Sequence, residues 1–74
     1  MKLTVIIEDF PMRLATNFSE ELRKYADVAL AFTGKGTANI HMESNDIVKI
    51  QEVCIVCDKY SIGADADVSE KLEG

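Results

Sequence analysis

Apolar residues along the chain alternate between two periods. Leu3, Val5 and Ile7 interleave with Thr4, Ile6 and Glu8, so Lys2–Glu8 reads as a strand with one apolar and one more polar face. Leu14, Phe18, Leu22 and Tyr25 then recur at helical spacing, which predicts a helix from about Met12 to Tyr25. Asp9 is the expected cap of that helix. Pro11 suits its first turn, where a missing N–H donor costs nothing. Period two returns over Asp27–Thr33, then again over Thr37–Glu43. Gly34-Lys35-Gly36 lies between them as a tight turn, so these residues read as a hairpin. Ser44-Asn45-Asp46 is a run of capping residues, and Ile47, Ile50, Val53 and Cys54 follow at helical spacing, which starts a second helix near Asp46. Its end is open: Val53–Cys57 can continue the helix or turn into a loop or strand. Lys59–Ala64 reads as a fourth strand with Ile62 inward, and Ala66–Leu72 as a short last helix begun by Asp67 or Ser69.

The predicted order is βαββαβ plus a short C-terminal α. A hairpin between two helical crossovers implies an α+β open-faced β-sandwich, with a four-stranded, mainly antiparallel sheet and helices packed on one face. The other face is then wet, and Thr4, Ala29, His41 and Glu43 have the polar or small character it needs. At 74 residues the chain is a single domain, 1–74, that buries only about 60–65% of the surface its unfolded form exposes.

Composition narrows the function classes. With 47% hydrophobic and 28% charged residues the chain is too apolar to be disordered. A net charge of −5 without a basic cluster argues against nucleic acid or an anionic membrane as partner and leaves room for a basic protein surface. The first residues are too short and too soon charged for a signal peptide, and no apolar run is long enough to span a bilayer. A cytoplasmic location follows as the expectation, with Cys54 and Cys57 as thiols.

Three constellations carry possible chemistry. At the strand-to-helix corner, free helical N–H groups favour an anion, and Arg13 adds the planar donor fork that phosphate accepts. The plain account is a capped helix with a solvated arginine. Cys54-Ile55-Val56-Cys57 is a CxxC, but it follows a helical segment and is enclosed by apolar neighbours. Buried structural cysteines therefore explain it better than a redox pair or a zinc site, for which ligands are too few. His41 is the only histidine and sits mid-strand on the open face, and the acidic tail Asp65–Glu73 reads as a solubilising surface. No metal and no cofactor is implied.

Several pieces in order resemble HPr, the small histidine phosphocarrier of the bacterial sugar phosphotransferase system. They are Arg13-x-Ala15-Thr16-x-Phe18, Lys24-Tyr25, Asp27-Val28-x-Leu30-x-Phe32-x-Gly34-Lys35, Ile47-Val48-Lys49-Ile50-Gln51 and Ile62-Gly63-Ala64-Asp65. The resemblance covers nearly the whole chain with small gaps, though no single piece is a strict signature. It implies four antiparallel strands and three helices. It also implies a phosphoacceptor histidine two residues before the arginine. Pro11 stands there instead and has no nucleophilic nitrogen, so the histidine chemistry is lost; Leu14 replaces the proline that normally follows the arginine. The family's regulatory serine falls on Asp46, or on Ser44 if a gap is misplaced. Capping alone explains Asp46, and the sharper reading is a mimic of modified serine.

Taken together, these residues lead us to expect a non-enzymatic regulatory or protein-docking module. Its partners would belong to the phosphotransferase or carbon-control machinery. The resemblance implies a docking surface of Phe10, Met12, Ile47, Val48 and Ile50 with Arg13 at its rim. The alternative is a ferredoxin-like accessory domain that senses a small ligand or dimerises through its open sheet face.

Overall fold

The computed structural model describes all residues, Met1–Gly74. Its elements are β1 (Lys2–Glu8), a 3-10 turn (Met12–Leu14), α1 (Ala15–Leu22), β2 (Val28–Phe32), β3 (Ala38–Glu43), α2 (Ile47–Ala64) and β4 (Asp67–Glu73). The strands form one sheet in the order β2-β3-β1-β4, and every neighbouring pair is antiparallel. Each helix therefore crosses over a strand of the other unit. Two βαβ units interleave in the split arrangement of ferredoxin-like domains. Both helices pack on one face, and the opposite face is open, as expected.

The alternation in the sequence sets the register. Leu3, Val5 and Ile7 of β1 and Ala38, Ile40 and Met42 of β3 point to the helices and are buried. Phe18 and Leu22 of α1 and Ile50, Val53 and Cys57 of α2 close over them. The aromatic rings join the layers: Phe10 lies 4.9 Å from Phe18 and 5.9 Å from Phe32, and Tyr60 lies 5.1 Å from Phe18. Two polar bonds tie α2 to α1 and the turn after it in antiparallel order: Lys59 Nζ donates to Glu21 Oε1 at 2.7 Å, and Tyr25 Oη to Glu52 Oε2 at 3.0 Å.

Several expectations are corrected. Lys59–Ala64 is not a strand but the last part of α2, and Ile62 is exposed rather than inward. In so short a run both periods fit Tyr60. Packing decides, because the helical path carries Tyr60 onto Phe18 and buries Ser61, whose hydroxyl donates to the Asp58 carbonyl. The helix stops at Asp65 in the left-handed region (φ 54°), with the N–H groups of Asp65 and Ala66 returning to the carbonyls of Ile62 and Ser61.

The short C-terminal helix is likewise absent, and Asp67–Glu73 forms β4. Glu and Lys favour helix locally. Against that, β1 is a buried central strand whose second edge would hold unpaired N–H and C=O groups, and β4 pairs with it along all of Lys2–Glu8. The first helix is also shorter than its apolar stripe, because the chain turns at Arg23 and Val28 N–H bonds to the Tyr25 carbonyl. Asp9 is not its cap. It takes a left-handed conformation (φ 57°) that swings the chain out of β1, so that Phe10 enters the core and its N–H reaches the Gly36 carbonyl at 2.7 Å. Gly36 itself sits at φ +81° in the hairpin turn.

Candidate functional site

The corner that carries Pro11 and Arg13 is built as a 3-10 turn, not as the start of a regular helix. Pro11 is extended (ψ 132°) and half-buried; it caps the turn without a side-chain bond, and its carbonyl accepts from Leu14 N–H at 3.0 Å. Arg13 and Met12 are exposed, and Arg13 makes no ion pair. At the start of α2, Asp46 Oδ1 accepts from the N–H of Val48 at 3.1 Å and of Lys49 at 3.3 Å. Ser44 Oγ in turn accepts from Asp46 N–H at 3.0 Å. The cap accounts for Asp46 fully. Asp46→Ala is expected to cost about 1 kcal/mol, and Asp46→Asn a small fraction of that, read as midpoints of urea unfolding.

The two helix starts do not meet. β1 and β3 are antiparallel, with Ile7 opposite Ala38 and Lys2 opposite Glu43. The turn at Pro11 therefore leaves one end of the sheet. α2 leaves the other, where Ser44 N–H bonds the Met1 carbonyl. Five residues of strand between these ends amount to about 17 Å. The docking set expected from the HPr resemblance is thus split: Met12 and Arg13 lie at one end, Ile47 and Val48 at the other, and Phe10 and Ile50 are core residues. The resemblance loses support in two further places. Ile62–Asp65 ends a helix rather than a strand, and a strand replaces the third helix.

What the structure does bring together was not legible as a site. α2 turns by about 100° per residue. Cys54 and Asp58 neighbour Glu70 of β4, while Lys59 reaches Glu21 of α1 and Glu52 reaches Tyr25 in the turn after it. Between those two flanks, on the face of α2 turned away from the sheet, Val48 (57% exposed), Ile55 (66%) and Ile62 (81%) recur every seven residues. Val68 (41%) and Leu72 (49%) stand on the helix-facing side of β4 and are only partly covered. The spacing of Val48, Ile55 and Ile62 is present in the sequence, but it becomes visible only once residues 59–64 are placed in the helix.

Within that flank Glu70 is pushed up to about 7, first by a hydrogen bond shared with the Asp58 carboxyl and then by partial burial. The folded chain thus holds a proton between about pH 4.5 and 7 that the unfolded chain has lost, so stability falls as pH rises through that window. Solvent screening at this exposed edge limits the effect to about 1 kcal/mol. Glu70→Gln is expected to raise the melting temperature above pH 7 and to match the native chain below pH 4.5.

The other groups show little reactivity. Burial raises the Cys54 thiol and pushes Cys57 up to about 12, which opposes thiolate chemistry. Tyr60 is pushed up to about 12 by the neighbouring Glu21 carboxylate, while the Lys59 ammonium lowers Glu21. His41 stands exposed on the open face opposite Thr4 and Ala29. No group of three or more His, Cys, Asp or Glu side chains is arranged to hold a metal ion. The surface depressions are open, the largest about 360 Å³ and lined by Leu22, Val28, Leu30 and Phe32 with Ser19 and Arg23 at its rim. No helix is long and apolar enough to cross a membrane. No protein-family model and no curated protein matches the chain.

Proposed function

We propose that this chain is a non-enzymatic protein-contact module of ferredoxin-like topology, an accessory or regulatory domain of the cytoplasm that works by association rather than turnover. One observation carries the reading: the exposed apolar stripe of Val48, Ile55 and Ile62 on α2, with Val68 and Leu72 also exposed on the neighbouring strand β4. A chain of this size gains nothing in stability from leaving these side chains in water, and a row of exposed apolar side chains on one helix face marks a contact site. The open sheet face, with Thr4, Ala29, Asn39 and Ser69, is the second surface such a module can offer to a ligand.

A role beside the phosphotransferase machinery remains the second reading. It is favoured by Arg13, exposed two residues after Pro11 at the turn into α1. On that reading the chain binds the phosphoenolpyruvate-dependent enzyme that charges HPr and gains no acid-labile phosphate. Phosphate on the chain ends it.

The deciding experiment measures solution mass over a range of concentration, with and without a panel of small metabolites, and binding to that enzyme. Each arm is repeated with Ile55→Asp/Ile62→Asp, a pair of exposed substitutions expected to change stability by less than about 1 kcal/mol together. Association that the pair abolishes supports the contact module. Mass that rises only with a metabolite favours its ligand-sensing form. Association indifferent to the pair, or none in any arm, overturns it.

A further inference from the structure

β4 is an edge strand, and its outer edge is neither capped nor covered. Its seven residues, Asp67-Val68-Ser69-Glu70-Lys71-Leu72-Glu73, are all exposed and pair with β1 without interruption. They contain no proline, glycine or bulge, so the only device that blunts this edge is charge. Val68, Glu70 and Leu72 share the helix side with Leu3, Val5 and Ile7. Asp67, Ser69, Lys71 and Glu73 lie on the open face.

We propose that a second copy of this chain pairs along β4, antiparallel and centred on Ser69, extending the sheet from four strands to eight. The inference rests on the contact-module reading above and names its partner. The charges on the strand choose both partner and register. Two-fold symmetry makes the centre residue face itself. Centring on Glu70 would set Glu70 against Glu70 and Asp67 against Glu73. Centring on Lys71 would set lysine against lysine. Centring on Ser69 sets Asp67 of each copy opposite Lys71 of the other, two ion pairs on the open face. On the helix side it places Leu72 opposite Ala66 and Val68 opposite Glu70. Centring on Val68 opposes no like charges, but it pairs only Asp67–Ser69 of each strand and forms no ion pair among them. Centring on Ser69 pairs Asp67–Lys71 and sets opposite charges face to face, whereas like charges directly opposite are what a sheet avoids. Lys71 now pairs with Glu73 of its own strand at 2.9 Å, a largely exposed contact that an exchange of partner gives up at little cost. In this arrangement the β4 flanks of the two α2 helices face each other above the joined strands, and Ile55 and Ile62 lie toward the partner.

The test combines mass and cross-linking. Residues directly opposite in an antiparallel pair have Cα atoms about 4.5–5.5 Å apart, within the range a disulfide spans. In a Cys54→Ala background, Ser69→Cys is expected to form a covalent dimer on mild oxidation, and Glu70→Cys and Lys71→Cys are not. Lys71→Glu is expected to weaken the dimer about tenfold by setting carboxylates opposite one another, and Asp67→Lys/Lys71→Glu to restore it. The four β4 positions are exposed, so the fold does not depend on them, and Cys54, half-buried at the edge of the core, is replaced in every variant alike. A monomer at every concentration, cross-linking at residue 70 or 71 instead of 69, or a charge swap without rescue overturns the pairing. A dimer that Ile55→Asp/Ile62→Asp abolishes but that ignores the charge swap keeps the contact module and discards this register. A β4 edge that binds an added chain while the protein itself stays monomeric discards the second copy.

Discussion

Phe10→Ala is expected to unfold much of the population at physiological temperature. Phe10 is buried at the meeting of four elements. Its ring packs against Phe18 of α1, Phe32 of β2 and Tyr60 of α2, and its N–H ties the end of β1 to the β2–β3 turn at Gly36. Removing a buried phenyl ring costs about 3–5 kcal/mol, and a chain of this length has roughly 4–11 kcal/mol in total. The melting temperature should fall by more than about 12 °C, followed by far-ultraviolet circular dichroism. A docking role predicts the reverse: an exposed Phe10 could be truncated with no change in melting and with loss of partner binding. Native-like melting in the variant would show that the ring does not join these layers.

Placing Phe10 in the core also shows where sequence reasoning reached its limit. The strand alternation of Leu3, Val5 and Ile7 and the turn at Gly34–Gly36 are local signals, and the fold obeys them because period two and a left-handed glycine leave few alternatives. So are the capping residues Ser44 and Asp46, which sit at the helix start that the residues predict. The C-terminal third was misleading for a physical reason. Residues 59–64 are short enough to fit either period, and Asp67–Glu73 has the composition of a solvated helix. Their states follow from distant partners: Phe18 under Tyr60, and the unpaired edge of β1 beside β4. Once those two segments exchange roles, the consequences spread. Ile62, which read as the inward residue of a fourth strand, becomes the last member of an exposed stripe on α2. The acidic tail becomes an edge strand. A docking patch inferred from residues near two helix starts falls on opposite ends of the sheet, because the antiparallel pairing of β1 with β3 separates those starts.

Ile50 and Val48 separate the two views of that surface most cleanly. The HPr resemblance puts both on one docking face at the start of α2. In the structure they lie about 160° apart around the helix axis, since two residues advance by about 200°. Ile50 points into the core beneath α2 and is buried, while Val48 faces water. Ile50→Ala is therefore expected to destabilise the chain by about 2–5 kcal/mol, from lost burial and from the cavity left between α2 and the sheet. Val48→Ala should change stability by less than about 0.5 kcal/mol, because truncating an exposed helical valine removes little packing, and alanine is the better helix former. Urea unfolding of the two variants measures the contrast, with equal slopes confirming that both unfold from the same native state. Equal and small effects would return Ile50 to the surface and, with it, the helix register on which the exposed stripe of Val48, Ile55 and Ile62 depends. A large loss at Ile50 beside an unaffected Val48 fixes that register independently of any partner, and so fixes which side of α2 is free to meet one.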